Sequence, residues 1–429
     1  MIGGRGKIMR SYFGTHNHTH YSNIRLLDSI NRPADLINKA IELGLSGIAI
    51  TDHECLSSAI EINQIATKLR ESNPDFRIAL GNEIYLTNDR SMGQKYYHFL
   101  LIAKDALGAK ALRKLSSIAW SNSYSDRGLE RVPTLKSELQ EVIMNYQGHV
   151  IATTACIGGE LSSNVLLMEQ ARAVGDINTA DKCYKNITSF LDFCLRLFGE
   201  DFYIECAPST NAEQCLVNHK LYQIAKAYGI KMEVGTDAHY LTAADRPIHK
   251  AYLNSKGGER EVDEFYEYTY LMDADEVIKL LSYGFSKYED TAPKAFDISN
   301  WILDGTEDIR NKIEYYSLER KQIIPKVSLP EVDKVYNFKP EYPILNSLAK
   351  SDNIQERYWV SECAKAMKDK GFADKKEYWE RLETEAGVIR TIGNKLDDCL
   401  FAYFNTFKHY IDLFWACGSI VGPGRGSST

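Results

Sequence analysis

Tyr12-Phe13-Gly14-Thr15-His16-Asn17-His18 sets a short apolar run directly against two imidazoles, and the chain repeats that arrangement four more times. Gly47-Ile48-Ala49-Ile50-Thr51 leads into Asp52-His53, and Arg77-Ile78-Ala79-Leu80 into Glu83. Val150-Ile151-Ala152-Thr153-Thr154 leads into Cys156, and Lys231-Met232-Glu233-Val234-Gly235 into Asp237-Ala238-His239. Runs of this length and composition read as fully buried strands. In barrels and open sheets of parallel strands, chemistry gathers at the strands' C-terminal ends, where converging loops stand on a rigid frame. Five strand ends therefore deliver their side chains to one mouth. In His16-Asn17-His18 and Asp237-Ala238-His239 the period of two keeps both ligating groups on one side of an extended segment. With Asp28 and His98, nine candidates (His16, His18, Asp28, His53, Glu83, His98, Cys156, Asp237 and His239) have the content of a multinuclear metal site. Ten His in 429 residues is an ordinary number, so position carries this reading and abundance does not. His20, His149, His219, His249 and His409 fit no such slot and read as structural, His20 being the best placed of them for an outer role.

A length of 429 residues exceeds what one hydrophobic core usually serves, so two domains are expected. No apolar stretch approaches the roughly 18 residues that span a bilayer. The segment Met1-Ile2-Gly3-Gly4-Arg5-Gly6-Lys7 lacks the apolar centre of a signal peptide. A cytoplasmic protein without a membrane partner is expected. Nine Cys with no Cys-x-x-Cys pair argue against a disulfide framework and against a zinc ribbon. A net charge of −7 exerts no overall pull on nucleic acid, so any such contact must use local basic patches.

From Phe13 to about Ser282 strand-like runs alternate with helical ones, the signature of α/β architecture with a mainly parallel sheet. Pro33 near the first turn and Gly44 as a stop bound a helix over 33–43; further helices are expected over 56–71, 109–120, 134–146, 176–199 and 213–229. Including Tyr97–Ala103 and Phe202–Cys206, seven strands can curl into an irregular barrel. His98 opens its strand instead of closing it, so either that strand is reversed or its ligand reaches in from another direction. Beyond about residue 285 the pattern turns helical, with one helix over 286–303, a Pro-containing connection over 320–345, and long helices over 353–370 and 376–393. The expected domains are 1–285 and 286–429.

The motifs resemble a known family. His16-Asn17-His18-Thr19-His20-Tyr21-Ser22 with Asp28, Ile50-Thr51-Asp52-His53, Gly81-Asn82-Glu83-Ile84-Tyr85, Tyr97-His98, Ala155-Cys156-Ile157-Gly158-Gly159-Glu160 and Thr236-Asp237-Ala238-His239-Tyr240 resemble, in order, those of the polymerase-and-histidinol-phosphatase (PHP) domain. The form with Cys156 in its slot resembles the one at the front of bacterial replicative DNA polymerase III alpha subunits. Val421-Gly422-Pro423-Gly424-Arg425-Gly426-Ser427-Ser428 resembles the loop that opens the nucleotide-binding part of the palm in these C-family polymerases, and Lys114-Leu115-Ser116-Ser117-Ile118-Ala119-Trp120 is similar to the family as well. One departure is Ser29 after Asp28, where the family usually has Gly.

The resemblance implies an irregular seven-stranded (β/α) PHP barrel followed by a smaller α-rich partial palm. It implies that His53, Glu83 and Asp52 serve catalysis, with Glu83 a bridging ligand and Asp52 orienting a neighbouring imidazole. The mixed donors suit two to three divalent ions of zinc, manganese or iron, which can activate water and clamp both oxygens of an in-line displacement. The expected activity is 3′–5′ proofreading exonuclease. In the terminal loop, small residues and successive amides form an anion nest at Gly424 and Gly426, Arg425 adds a bidentate charge, and Ser427 and Ser428 add hydroxyls. Implied partners are a DNA primer-template and a deoxynucleoside triphosphate. The palm carboxylates, their magnesium, the thumb and the fingers are expected beyond Thr429 or on a second polypeptide. A free-standing PHP phosphatase of small phosphomonoesters and a catalytically silent structural module are the rival readings.

Overall fold

The computed structural model describes residues 10–24, 27–91, 93–126, 129–255, 264–320, 323–332 and 337–422. Its strands are β1 (Phe13–Gly14), β2 (Gly47–Ile50), β3 (Arg77–Thr87), β4 (Tyr97–Ala103), β5 (Tyr124–Asp126), β6 (Leu129–Arg131), β7 (Pro133–Leu135), β8 (Val150–Thr153), β9 (Phe202–Cys206) and β10 (Lys231–Val234). The main sheet runs β1-β2-β3-β4-β8-β9-β10, and β7 pairs with the far end of β3. Every neighbouring pair in that path is parallel except the two that include β4. The two ends approach closure just beyond β1 and β10, where His18 donates its amide to the Ala238 carbonyl at 3.0 Å and Ala238 donates to His16 at 3.3 Å. The result is a nearly closed, seven-strand α/β barrel, with β7 as an eighth strand on its rim.

Strand alternation sorts side chains into two cores. Ile48, Ile50, Phe99, Leu101, Val150, Ala152, Phe202 and Ile204 point outward and pack in one cluster with helices such as Pro33–Glu42 and Ile177–Phe198. Ala49, Ala79, Leu100, Ile102, Ile151 and Tyr203 point inward and fill the barrel with Phe13, Ile309 and Ile313. Above this apolar plug, the same inward rows continue as Thr15, Thr153, Glu205 and Glu233, all buried.

Three expectations are corrected here. No helix spans 286–303: helices occupy Ala274–Ser286 and Ala295–Lys312, because Pro293 lacks an amide proton and can stand only at a helix start. The boundary at 285 also moves, since the compact units are 1–319 and 320–429. The helix Ala295–Lys312 belongs to the barrel: Thr306 accepts from the Phe13 amide, and Ile309 joins the inner core. The helix expected over 134–146 starts at Lys136, its first residues being taken by β7.

The second unit is helical among its described residues: Pro343–Ala349, Ile354–Asp369, Lys376–Leu396 and Phe401–Ala416. Leu345, Trp359, Val360, Leu382, Ala386 and Phe401 form its core. Val421 and Gly422 are described, whereas the expected phosphate-binding residues Gly424, Arg425, Gly426, Ser427 and Ser428 lie outside the described residues. No helix is long and apolar enough to cross a membrane among those described.

Gly305 shows how closely the plugging helix approaches the sheet. A Cβ there would stand 1.7 Å from the Met232 carbonyl oxygen, so the helix could not keep its place. Gly305→Ala is expected to cost about 3 kcal/mol through overpacking, read as a lower denaturant midpoint. An unchanged midpoint would show that the helix is free to move off the barrel.

Candidate metal centre

The nine residues singled out from sequence converge at the barrel mouth. His16 and His18 follow β1, His53 follows β2, Glu83 lies within the long β3, and Asp237 and His239 follow β10. β4 runs antiparallel to β3 and β8, so its first residues, including His98, lie where the neighbouring parallel strands end. Three residues at or beside the ligand turns, Glu54, Ala155 and Asp237, have φ between +49° and +57°. That region is costly for residues with a Cβ and recurs where geometry serves a site. At Ala155 it turns the chain that presents Cys156.

Three sets of donors have their ligating atoms within 4.8 Å of one another: His16, His18 and Glu83; His18, His53 and His239; Glu83, His98 and Cys156. Glu83 belongs to two of the sets. Its Oε1 lies 2.9 Å from His98 Nδ1 and 3.3 Å from His16 Nε2, and its Oε2 lies 2.6 Å from His53 Nδ1. Asp237 Oδ1 lies 3.0 Å from His18 Nε2 and 3.2 Å from His16 Nε2. Asp28 Oδ2 reaches His53 Nε2 at 2.8 Å and His239 Nε2 at 3.3 Å, and Cys156 Sγ is 3.6 Å from His98 Nδ1.

These atoms crowd one another without satisfying one another. His53 Nδ1, Glu83 Oε2 and Asp237 Oδ1 are buried and have no partner in hydrogen-bond geometry. Buried polar atoms are normally paired, so donors aimed at common points fit cations. Imidazole, carboxylate and thiol together suit a divalent transition metal.

Charge follows the same logic. Burial alone would raise Glu83, yet His98, His53 and His16 bring it well below the ordinary carboxylate value. Asp28 is likewise low, His239 and His53 outweighing burial. Burial would lower His53, but Glu83 and Asp28 raise it to about 10. His16 rises for the same kind of reason, from Asp237, Glu205 and Glu83. His18 is the reverse, lowered to about 3 by burial and by the neighbouring His53 and His239. Protons on imidazoles thus balance the carboxylates where cations would.

Asp52 touches no imidazole directly. Its carboxylate accepts from the Thr19 amide, Thr19 Oγ1, Ser22 Oγ and Ser58 Oγ at 2.6–3.0 Å. Ser22 Oγ in turn lies 3.1 Å from His18 Nδ1. Asp52 therefore positions His18 through Ser22. His20, by contrast, has no outer role: it is exposed, with Nδ1 3.3 Å from the Asn31 carbonyl. His249 holds that place, buried, with Nε2 at 2.6 Å from the Asp28 carbonyl. Ser29, the departure from the family pattern, bonds the carbonyls of His18 and His239 with its hydroxyl.

Glu205 was not among the sequence candidates. Its Oε1 accepts from His16 Nδ1 at 2.8 Å, and Oε2 accepts from Thr153. Gly235 makes room for it, since a Cβ there would lie 2.5 Å from the Glu205 carboxyl. The available signal was a carboxylate at an inward position of the apolar run Phe202–Cys206. A carboxylate behind a ligating imidazole fixes its orientation and raises its basicity.

Because ligands must be deprotonated, metal uptake must release protons. Glu83 and Asp28 push His53 up to about 10, so around neutral pH it gives up a proton on binding, and affinity rises with pH and falls in acid. Calorimetric titration with zinc in two buffers of different ionisation enthalpy should give heats that differ by the released protons; identical heats would exclude this balance. Glu205→Gln is expected to weaken zinc affinity about 10–100-fold, measured in the same titration.

A family model described as the PHP domain matches residues 15–209. A DNA-directed DNA polymerase of Bacillus phage SPbeta is 37% identical over 445 residues, covering 97% of this chain and 33% of that protein. The DNA polymerase III subunit alpha of Aquifex aeolicus (strain VF5) is 27% identical, covering 98% of this chain and 33% of that protein. That of Campylobacter jejuni is 24% identical over 98% and 32%. The chain thus spans about a third of the length of these relatives. Residues 15–209 carry a PHP domain, and nearly the whole chain is homologous to about a third of DNA polymerase III alpha-like proteins.

Proposed function

We propose that the barrel is a metal-dependent phosphodiesterase that removes nucleotides from DNA 3′ ends, within a replicative polymerase of the C family. The observation that carries this reading is the Glu83 carboxylate shared between two donor sets, with buried atoms of His53, Glu83 and Asp237 that lack a partner in hydrogen-bond geometry. Divalent cations bound there would supply Lewis acidity to a phosphate and lower the pKa of water.

The chain's own residues do the rest. His16, His18, Asp28, His53, Glu83, His98, Cys156, Asp237 and His239 would hold two to three ions of zinc, manganese or iron. Glu205 and the Asp52–Ser22 pair fix His16 and His18, while Tyr85 stacks on His98 with ring centres 4.8 Å apart. In the same reading, the second unit opens the palm, and Gly424, Arg425, Gly426, Ser427 and Ser428 cradle the triphosphate of an incoming nucleotide. DNA primer-template, deoxynucleoside triphosphate and magnesium are then partners of the whole polymerase, together with the region that bears its palm carboxylates. Complete burial of most ligands also supports a structural metal centre, because metal binding can be coupled to folding.

The test is a single-stranded oligonucleotide labelled at its 5′ end, incubated with manganese-loaded protein. Stepwise shortening from the 3′ end is expected, abolished by chelator and reduced about a hundredfold or more in His53→Ala, since even outer partners of a metal ligand are worth 10–100-fold. Shortening that persists in chelated His53→Ala protein would overturn the assignment. Loss of thermal stability on chelation, with no hydrolysis by the loaded protein, would make the centre structural.

A further inference from the structure

A cavity of about 510 Å³ opens beside the donor sets, and Cys156 and Asp237 form part of its wall. Pockets of roughly 300–1,000 Å³ enclose small organic ligands. Ile157, Pro208, Phe265 and Tyr268 give it apolar faces, and Ser209, Gln214 and Thr236 contribute polar groups. The Tyr268 ring is anchored by its hydroxyl, 2.6 Å from Thr210 Oγ1. Phe265 is 42% exposed although it is a large apolar residue. The buried Thr236 hydroxyl has no hydrogen-bond partner.

Two aromatic rings, one unpartnered buried hydroxyl at Thr236 and a boundary shared with two of the nine donors together describe a ligand that is aromatic and polar at one end and anionic at the other. We propose that this cavity receives the base and sugar of a nucleoside 5′-monophosphate unit, the unpaired 3′-terminal residue of a DNA strand, while its phosphate faces the donor sets. The proposal rests on the phosphodiesterase reading and names the group that this reading releases. In the reaction, the oxygen of water bonds to phosphorus, the bond from phosphorus to the preceding 3′ oxygen breaks, and that oxygen takes up a proton. The shortened strand departs with a 3′ hydroxyl, leaving the nucleoside 5′-monophosphate in the cavity. Room for one nucleoside means that a paired terminus must open first. Unpairing costs least where the terminal base is mismatched, so the cavity favours misincorporated ends.

The experiment measures binding of thymidine 5′-monophosphate, deoxyribose 5-phosphate and inorganic phosphate to the manganese-loaded full chain by calorimetry. The nucleotide is expected to bind at least about tenfold tighter than the sugar phosphate, as base–aromatic stacking provides. Phe265→Ala should remove about tenfold of that affinity, with bound manganese, read by elemental analysis, at the parental level. Ala207→Trp, which fills the cavity from another wall, should do the same. Equal affinities for nucleotide and sugar phosphate, or parental nucleotide affinity in both variants, would overturn the proposal. If 3′ ends are shortened while nucleotide and sugar phosphate bind alike, the cavity assignment fails and hydrolysis stands. If the nucleotide binds as expected but no strand is shortened, the hydrolytic reading fails and the cavity remains a nucleotide site.

Discussion

Two backbone hydrogen bonds, from His18 to Ala238 and from Ala238 to His16, bring the first and last strands of the barrel together. β1 is only two residues long and β10 four, so pairing along the strands themselves contributes little to joining these edges. The joining segments are the ligand motifs. Thr15 reinforces them with a hydroxyl bond to the Val234 carbonyl, and Ser29 ties His18 and His239 from the side. Closing the sheet and assembling the donors are therefore one event, and the period of two that puts His16 and His18 on one side is the same period that leaves Asn17 facing Ala238. A ligand substitution here acts on closure as well as on binding.

The barrel axis is graded from apolar to ionic. Ile309 and Ile313 plug one end, Ala49, Leu100 and Ile151 fill the middle, and Glu233, Glu205 and the ligands occupy the mouth. Unpaired charges cannot be buried cheaply, and the chain answers in two ways. Carboxylates that face imidazoles stay ionised and share their protons. Glu233, with no such neighbour in contact, is pushed well above its ordinary value by burial and by Glu205, and its carboxyl is bonded by the Thr15 hydroxyl at 2.6 Å. Glu233, one layer below the donors, is thus driven toward its neutral form.

Strand runs and the donor side chains gathered at their ends were legible because buried strands leave continuous apolar stretches and His, Asp, Glu and Cys stand out beside them. The reversal of β4 was legible too, from His98 standing at the wrong end of its run. Helix Glu160–Ala173 left no readable signal: Leu161, Ser162, Asn164, Val165, Met168 and Ala171 are buried around several faces, which erases the amphipathic stripe that marks a helix. Partners such as Ser22, Glu205 and His249 were hidden for a different reason. Each touches a ligand distant in sequence or one whose partner atom is backbone, as His249 does at the Asp28 carbonyl, and no spacing rule predicts such contacts. The domain boundary was misplaced because the helix Ala295–Lys312 follows the last strand yet belongs under the barrel.

The reversed β4 also gives the centre a direction. Ligands from the parallel strands are turned inward by their own sheet, and His16, His18 and Glu83 have no exposed side-chain surface. His98 enters at the start of an antiparallel strand and keeps 29% of its side chain exposed, the most open of the ligand side chains that pair with carboxylates. It lies against Cys156, which with Asp237 borders the cavity. Gly158 allows this packing, since a Cβ there would stand 3.2 Å from the His98 ring. The most exposed of these side chains is therefore His98, on the Cys156 side of the centre, while Asp28, at 13%, is bonded by the Tyr266 hydroxyl at 2.8 Å.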